Sequence, residues 1–422
     1  MSSTLVGLIL AGVCSGALPG RPAGARVSGT PGAKLRVELL TMGPGREAYS
    51  RFGHSGIRVT HLGGLGDIVF NFGTFNHEDP AVIRKFLQGR LQYWLSVQTH
   101  RETLKEYRDE GRRVIAQELR LTGAQRRRLF LRLHERTKPA YRNYRYHHFR
   151  ANCSTKIRDV LDWVLDGALK RELSKRPART YRHWLRRATR GAPGFHLGFD
   201  LVLTRADRQI NAWEACFAPE QLMTAVDSVL LPGPEGRRRP LVVRKRILQP
   251  GPAFQTAGGL WPWTWAMLGS WLALLLLVLP VAVRPRLRAS WRVSGIVLAL
   301  WGLLCSGLSV LLCYVWGAAE LPVFTGNQNL IALPPTHLIW AVVGVVLVLR
   351  PPARAGGVLV PPRWLVAYAI LHCAALLLYV GLHLSGVVSQ GNGPLLAVVT
   401  PWAMCLIWLL YLARFDMGAP RG

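Results

Sequence analysis

Apolar and polar positions alternate in "KLRVELLTM", where Leu35, Val37 and Leu39 are set against Arg36 and Glu38. A period of two gathers the apolar set on one face, and predicts a half-buried strand over residues 34–42. "HSGIRVTHL" and "DIVFNFGTF" read as two further strands, joined through the glycine-rich "GGLGD" as a hairpin. The period then lengthens. "EDPAVIRKFLQGRLQYWL" predicts a helix opened by Pro80, and "TGAQRRRLFLRLHERT" a basic amphipathic helix. From Ser154 onward, Ile157, Val160, Leu161, Val164, Leu165 and Ala168 fall on one helical stripe. Asn152, Ser154 and Thr155 stand at its start as capping residues, which puts Cys153 at a helix N-terminus.

Beyond about residue 264 the pattern changes to long apolar runs. Five of them suffice to cross ~30 Å of hydrocarbon: 265–283, 293–316, roughly 330–349, 364–384 and 395–413. Pro280 lies near the end of the first and Pro334–Pro335 interrupt the third. Before them, "LLPGPEGRRRP" and "QPGPAFQTAGGLWPW" are rich in turn residues, and predict a linker over 232–264. The first 25 residues have an apolar core from Leu5 to Val13 followed by small residues, the shape of a secretory signal. These segments leave residues 34–231 as one folded domain.

Charge gives the orientation. The loops after the first, third and fifth runs carry arginines, whereas "GAAELPVFTGNQNLIALPPT" and "SGVVSQGNGP" contain no Lys or Arg. By the positive-inside rule the arginine loops are cytoplasmic, so the N-terminal domain is expected outside. Of 53 Lys+Arg only nine lie beyond residue 264, and of 23 Asp+Glu only two, so the first 264 residues carry a net charge of +23. That field favours an anionic membrane surface as partner. Export argues against nucleic acid.

Seven cysteines are present. Cys14 falls in the signal, and Cys305, Cys313, Cys373 and Cys405 fall in apolar runs, where a small apolar side chain explains them. Cys153 and Cys216 remain, and four readings of Cys153 stand: packing, a disulfide with Cys216, a metal ligand near His147–His148, or a nucleophile. A helix N-terminus flanked by Arg150 and Lys156 lowers a thiol pKa toward neutrality and favours the last. His54, opening a strand in "RFGHSGIRV", is the candidate base. Asn327 and Asn329, in an uncharged loop, are expected to form a turn or to meet a headgroup or peptide.

"FGHSGIRV" followed by "NCSTKIRDVL" resembles the permuted NlpC-like superfamily of papain-like thiol enzymes, which includes lecithin:retinol acyltransferase. With "ELLTMGPGREAYSRFGHSGIRV", "DIVFNFGTFN", "YRYHHFRANCSTKIRDVLD" and "NAWEACFAPEQL", residues 34–231 are similar to the Lnb N-terminal periplasmic domain of bacterial lipoprotein N-acyltransferases. The resemblance implies an α+β permuted papain-like (NlpC-like) extracytoplasmic domain followed by an all-α five-span transmembrane bundle in the bacterial cytoplasmic (inner) membrane. It further implies Cys153 as nucleophile, His54 as general base and a polar third residue, for which Asn71 on the adjacent strand is the first choice and Asp67 the second. His147 and His148 are then expected to face headgroups or solvent. The implied activity is acyl transfer through a Cys thioester, without a cofactor, from a phospholipid or diacyl lipoprotein to a lipoprotein N-terminal amine. A membrane-anchored thiol peptidase or amidase acting on cell-wall peptide, and a non-catalytic binding domain, are the alternatives.

Overall fold

The strand-period segments become neighbours in one antiparallel sheet. In the computed structural model, which describes residues 32–232, 237–254, 262–284, 287–351, 361–388 and 390–415, seven strands build it. They are β1 (Leu35–Met42), β2 (His54–His61), β3 (Gly66–Thr74), β4 (Gln92–Thr99), β5 (Val114–Leu119), β6 (Asn143–Arg145) and β7 (Val242–Gln249), in the order β7-β5-β1-β2-β3-β4-β6. β1 and β2 pair along their whole length, from Leu35 opposite His61 to Met42 opposite His54. The signal expected over residues 1–25 lies outside the described residues.

The short α1 (Val82–Gln88) connects β3 to β4, and four helices pack on the sheet: α2 (His100–Asp109), α3 (Gly123–Glu135), α4 (Cys153–Val164) and, later in the chain, α5 (Pro219–Ser228). Leu35, Val37, Leu39, Ile57, Val59, Phe70 and Leu95 make one face of the sheet, and pack against Leu129 and Phe130 of α3, Ile157, Leu161 and Val164 of α4, and Leu222 and Val226 of α5. Each such side chain contributes about 1.5–3 kcal/mol by leaving water. The opposite face holds Leu40, Met42, Val69 and Val114, with Tyr107 of α2 over them. β1 is therefore buried on both faces rather than half-buried. Glu38, wholly buried, is held by Arg58 at 2.8 Å and by Arg246, and Arg58 reaches Asp67 at 2.7 and 2.5 Å. These charges join β1, β2, β3 and β7.

Two expectations are corrected. The helix opened near Pro80 stops at Gln88, where Gly89 adopts φ +72°. The chain then extends into β4, whose Tyr93 and Leu95 are buried on alternate positions. The supposed linker 232–264 contributes β7, an edge strand paired with β5. Its row of charges, Arg244, Lys245 and Arg246, suits an edge and masks its strand character. Residues 233–236 and 255–261 of that segment lie outside the described residues.

The chain divides into two compact units, one drawn from Met1–Gly191 with Arg208–Ala257, the other from Ala192–Asp207 with Gly258–Gly422. Residues 192–207, read above as part of the N-terminal domain, thus group with the apolar helices. Five segments of the second unit are long and apolar enough to cross a membrane: Pro262–Val283, Arg288–Ala318, Pro322–Leu349, Arg363–Leu384 and Gly393–Tyr411. Continuous α-helix in the third is confined to Leu338–Leu349, about 18 Å at 1.5 Å per residue. The irregular backbone before it is supported by polar side chains. Asn327 and Asn329 both donate through Nδ2 to the Leu201 carbonyl, at 2.6 and 2.9 Å, while Gln390 and Asn392 donate to their oxygens at 3.2 and 2.9 Å. Both asparagines are buried, so they brace backbone instead of meeting a headgroup, as irregular chain among apolar helices requires.

Candidate active site

Cys153 is aimed by the cap of its own helix. Asn152 Oδ1 accepts from the Thr155 N–H at 2.9 Å and Thr155 Oγ1 accepts from the Asn152 N–H at 2.8 Å, a reciprocal capping box. Asn152 Nδ2 also donates to the carbonyls of His148 and Phe217 at 2.7 and 2.8 Å. This amide ties the start of α4 to two other segments. The next residue, Ser154, shares a 3.0 Å hydrogen bond with Ser55, the residue after His54. Cys153 and His54 are thereby held in register through their immediate neighbours.

α4 packs on the sheet face that carries Ile57 and Val59, whereas side-chain alternation along β2 puts His54 on the other face with Arg58. Both nevertheless border one point, at an irregularity in β3. Its register breaks between Phe72 and Thr74, and Gly73 sits at the break with φ +101°. A Cβ there would lie 3.1 Å from Cys153 Cβ and 3.5 Å from His54 Cε1. Only a glycine leaves that point free for both residues. Asn71, two positions earlier and buried, lies beside the His54 ring and favours its protonated form. Gly56 beneath it is equally constrained, since a Cβ would come within 3.0 Å of Asn71 Oδ1. Cys153, His54, Asn71 and Gly73 line one cavity of about 320 Å³, together with Gln98 and Arg112.

Burial governs the charges. It pushes the His54 pKa down to about 4, aided by the nearby Arg112 guanidinium and opposed by the neighbouring Asn71. Burial likewise raises the Cys153 thiol above its ordinary 9.0, against the pull of N–H groups of Ser55, Ser154 and Cys153 and of the Ser154 hydroxyl. The helix start does lower the thiol pKa, but desolvation outweighs it. At neutral pH the pair therefore rests as thiol and neutral imidazole, not as the lowered thiol expected above.

The remaining candidates separate from the cavity or change role. Asp67 is engaged by Arg58 and Thr60 at the far end of the β2–β3 hairpin and does not line the cavity of Cys153. Cys216 and Cys153 are both free thiols; Cys216 is buried, donates to the Ala212 carbonyl at 3.1 Å, and is pushed up to about 12. His148, expected to face headgroups or solvent, is buried, hydrogen-bonded through Nδ1 to Tyr146 at 2.8 Å, and borders the same cavity as Cys153. His147 is half-buried, and burial lowers its pKa to about 4. Among the described residues no three His, Cys, Asp or Glu are gathered to hold a metal ion.

Three residues went unpredicted. Gly73 carried a signal, because a glycine inside a strand pattern marks a bulge or a close approach. Gln98 and Arg112 carried none.

No curated protein and no solved structure matches the chain. Residues 29–187 do match the family model described as the Lnb N-terminal periplasmic domain, and with five helices long and apolar enough to cross a membrane this is a multi-pass membrane protein that carries an N-terminal periplasmic domain of Lnb type.

Proposed function

We propose that this protein is a cysteine acyltransferase of the bacterial inner membrane, which moves a fatty acyl chain to the N-terminal amine of a lipoprotein. The observation that carries the reading is the meeting of Cys153, His54 and Asn71 around Gly73 in one cavity. A histidine strand that precedes the cysteine helix is the permuted papain-like order. The five apolar helices favour lipid-anchored substrates over soluble peptide.

The resting protonation states define the first step. Cys153 Sγ attacks the ester carbonyl of a phospholipid or diacyl lipoprotein as His54 takes the thiol proton. Backbone N–H groups at the start of α4 are placed to receive the developing oxyanion. Thr155 N–H is occupied by the cap, which leaves those of Cys153 and Ser154, with Ser55, for this role. Collapse breaks the C–O bond, the leaving alkoxide takes the proton from His54, and a thioester remains on Cys153. A neutral lipoprotein amine then attacks the thioester, and His54 accepts a proton from the amine. The C–S bond breaks to give the amide, and the proton returns to the thiolate.

The test is mass spectrometry of the full-length protein after incubation with a diacyl lipopeptide or phospholipid. An acyl mass on Cys153, absent in Cys153→Ala and His54→Ala and released by a lipopeptide amine, is expected. Transfer that persists in Cys153→Ala at the wild-type rate overturns the reading. Cleavage of soluble muropeptides without any acyl adduct would assign a peptidase instead.

A further inference from the structure

An asparagine amide can turn over, and only one of its two orientations lets His54 act as a base. Asn71 Nδ2 donates to Gln98 Oε1 at 3.1 Å, and Gln98 Nε2 donates to Glu106 Oε2 at 3.2 Å. The same Gln98 oxygen receives the Thr103 hydroxyl at 3.4 Å. The polarity of this row follows from its far end, since a carboxylate only accepts. Glu106 holds the amine of Gln98, so the Gln98 oxygen is left for the amine of Asn71. Asn71 Oδ1 is then the atom left for His54, and this buried oxygen has no other use, since no donor in the structure reaches it with good geometry. An acceptor at that position fixes a proton on the ring nitrogen beside it. The other ring nitrogen keeps its lone pair for the Cys153 proton.

We propose that Gln98 and Glu106 are positioning residues that set the tautomer of His54 through Asn71. The inference rests on the Cys153–His54 pairing, but not on the identity of the acyl substrates. Neither residue touches Cys153 by any contact described above. Their effect is carried entirely by the direction of three hydrogen bonds. Reversing one of those bonds should therefore be as harmful as removing the base, and restoring the direction with different side chains should repair it.

The experiment follows alkylation of Cys153 by chloroacetamide in the full-length protein, read as modification of the Cys153 peptide against pH, with a thermal melt of each variant. Gln98→Lys puts a donor where Asn71 needs an acceptor, turns the Asn71 oxygen away and places a proton on the His54 nitrogen facing the thiol. Its labelling rate at neutral pH is expected to fall at least tenfold. The double variant Gln98→Glu with Glu106→Gln exchanges the two side-chain types but keeps an acceptor toward Asn71, and is expected to label within about threefold of wild type. A wild-type rate in Gln98→Lys overturns the inference. So does a double variant that melts like wild type yet labels as slowly as Gln98→Lys, because position 98 would then act by shape alone. If Gln98→Lys does not fold, the double variant decides by itself. Labelling that behaves as expected while no acyl adduct forms refutes the acyltransferase reading and leaves this one standing.

Discussion

Replacing Gly73 by alanine probes the irregularity in β3 directly. The backbone there has φ +101°, a left-handed conformation that costs an L-residue about 1–2 kcal/mol. The added Cβ also lies 3.1 Å from Cys153 Cβ, whereas carbon atoms settle at about 3.5–4.0 Å. The helix start must retreat by about half an ångström, yet Asn152 anchors it to two carbonyls. Misplacement by about 1 Å can cost roughly 100-fold in rate, so half of that predicts a loss of about tenfold. Stability should fall with it, by about 2–4 °C in Tm per kcal/mol for a domain of this size. The assay is the rate of Cys153 acylation or alkylation beside a melting curve of the same preparation. A Gly73→Ala protein that melts and reacts like wild type would refute the claim that His54 and Cys153 meet at this glycine.

Three other outcomes follow from the same geometry. With His54 near pH 4, activity should hold above that value and fall below it as the base becomes protonated. Arg112→Gln should move this acid limb upward and Asn71→Ala downward, since Arg112 lowers the imidazole pKa and Asn71 raises it; an acid limb near pH 6.5 in the wild type would contradict the site's electrostatics. Asn152→Ala should remove about 1 kcal/mol of capping and leave two buried carbonyls short of a donor at about 1–3 kcal/mol each, seen as a lower Tm with slower Cys153 labelling. Glu38→Gln, which takes the carboxylate from Arg246 and leaves Arg58 with Asp67 alone, should cost about 1.5–3 kcal/mol; an unchanged melt would show that this cluster is dispensable.

The parts legible in the sequence were those set by local periodicity. β1 to β3, the helix from Cys153 and the five apolar runs all announce themselves through spacing, because each must bury a particular face. β4 was hidden behind a helix-like run whose true stop, Gly89, looks ordinary until its positive φ is known. β7 was hidden by its charges, which belong to an edge strand but read as linker. Asn327 and Asn329 lie in what reads as a polar loop, although their partner at Leu201 is more than a hundred residues away. Side chains that act across such separations leave no periodic trace.

The candidate site divides along the same line. Cys153 and His54 could be named because a helix cap and a strand start are local features, and Asn71 because it lies one strand over. Their protonation states could not be named, since these depend on how deeply the folded chain buries them. The helix start and the neighbouring cations, the only local features, point to a lowered thiol. The folded site instead desolvates both partners, which makes an ion pair between them unfavourable before substrate arrives. In the proposed reaction a neutral pair would place the burden of catalysis on the direction of a single proton transfer, from sulfur to the free nitrogen of His54. Under the proposed mechanism the orientation of Asn71, a neutral residue, would then matter more than any charge around it.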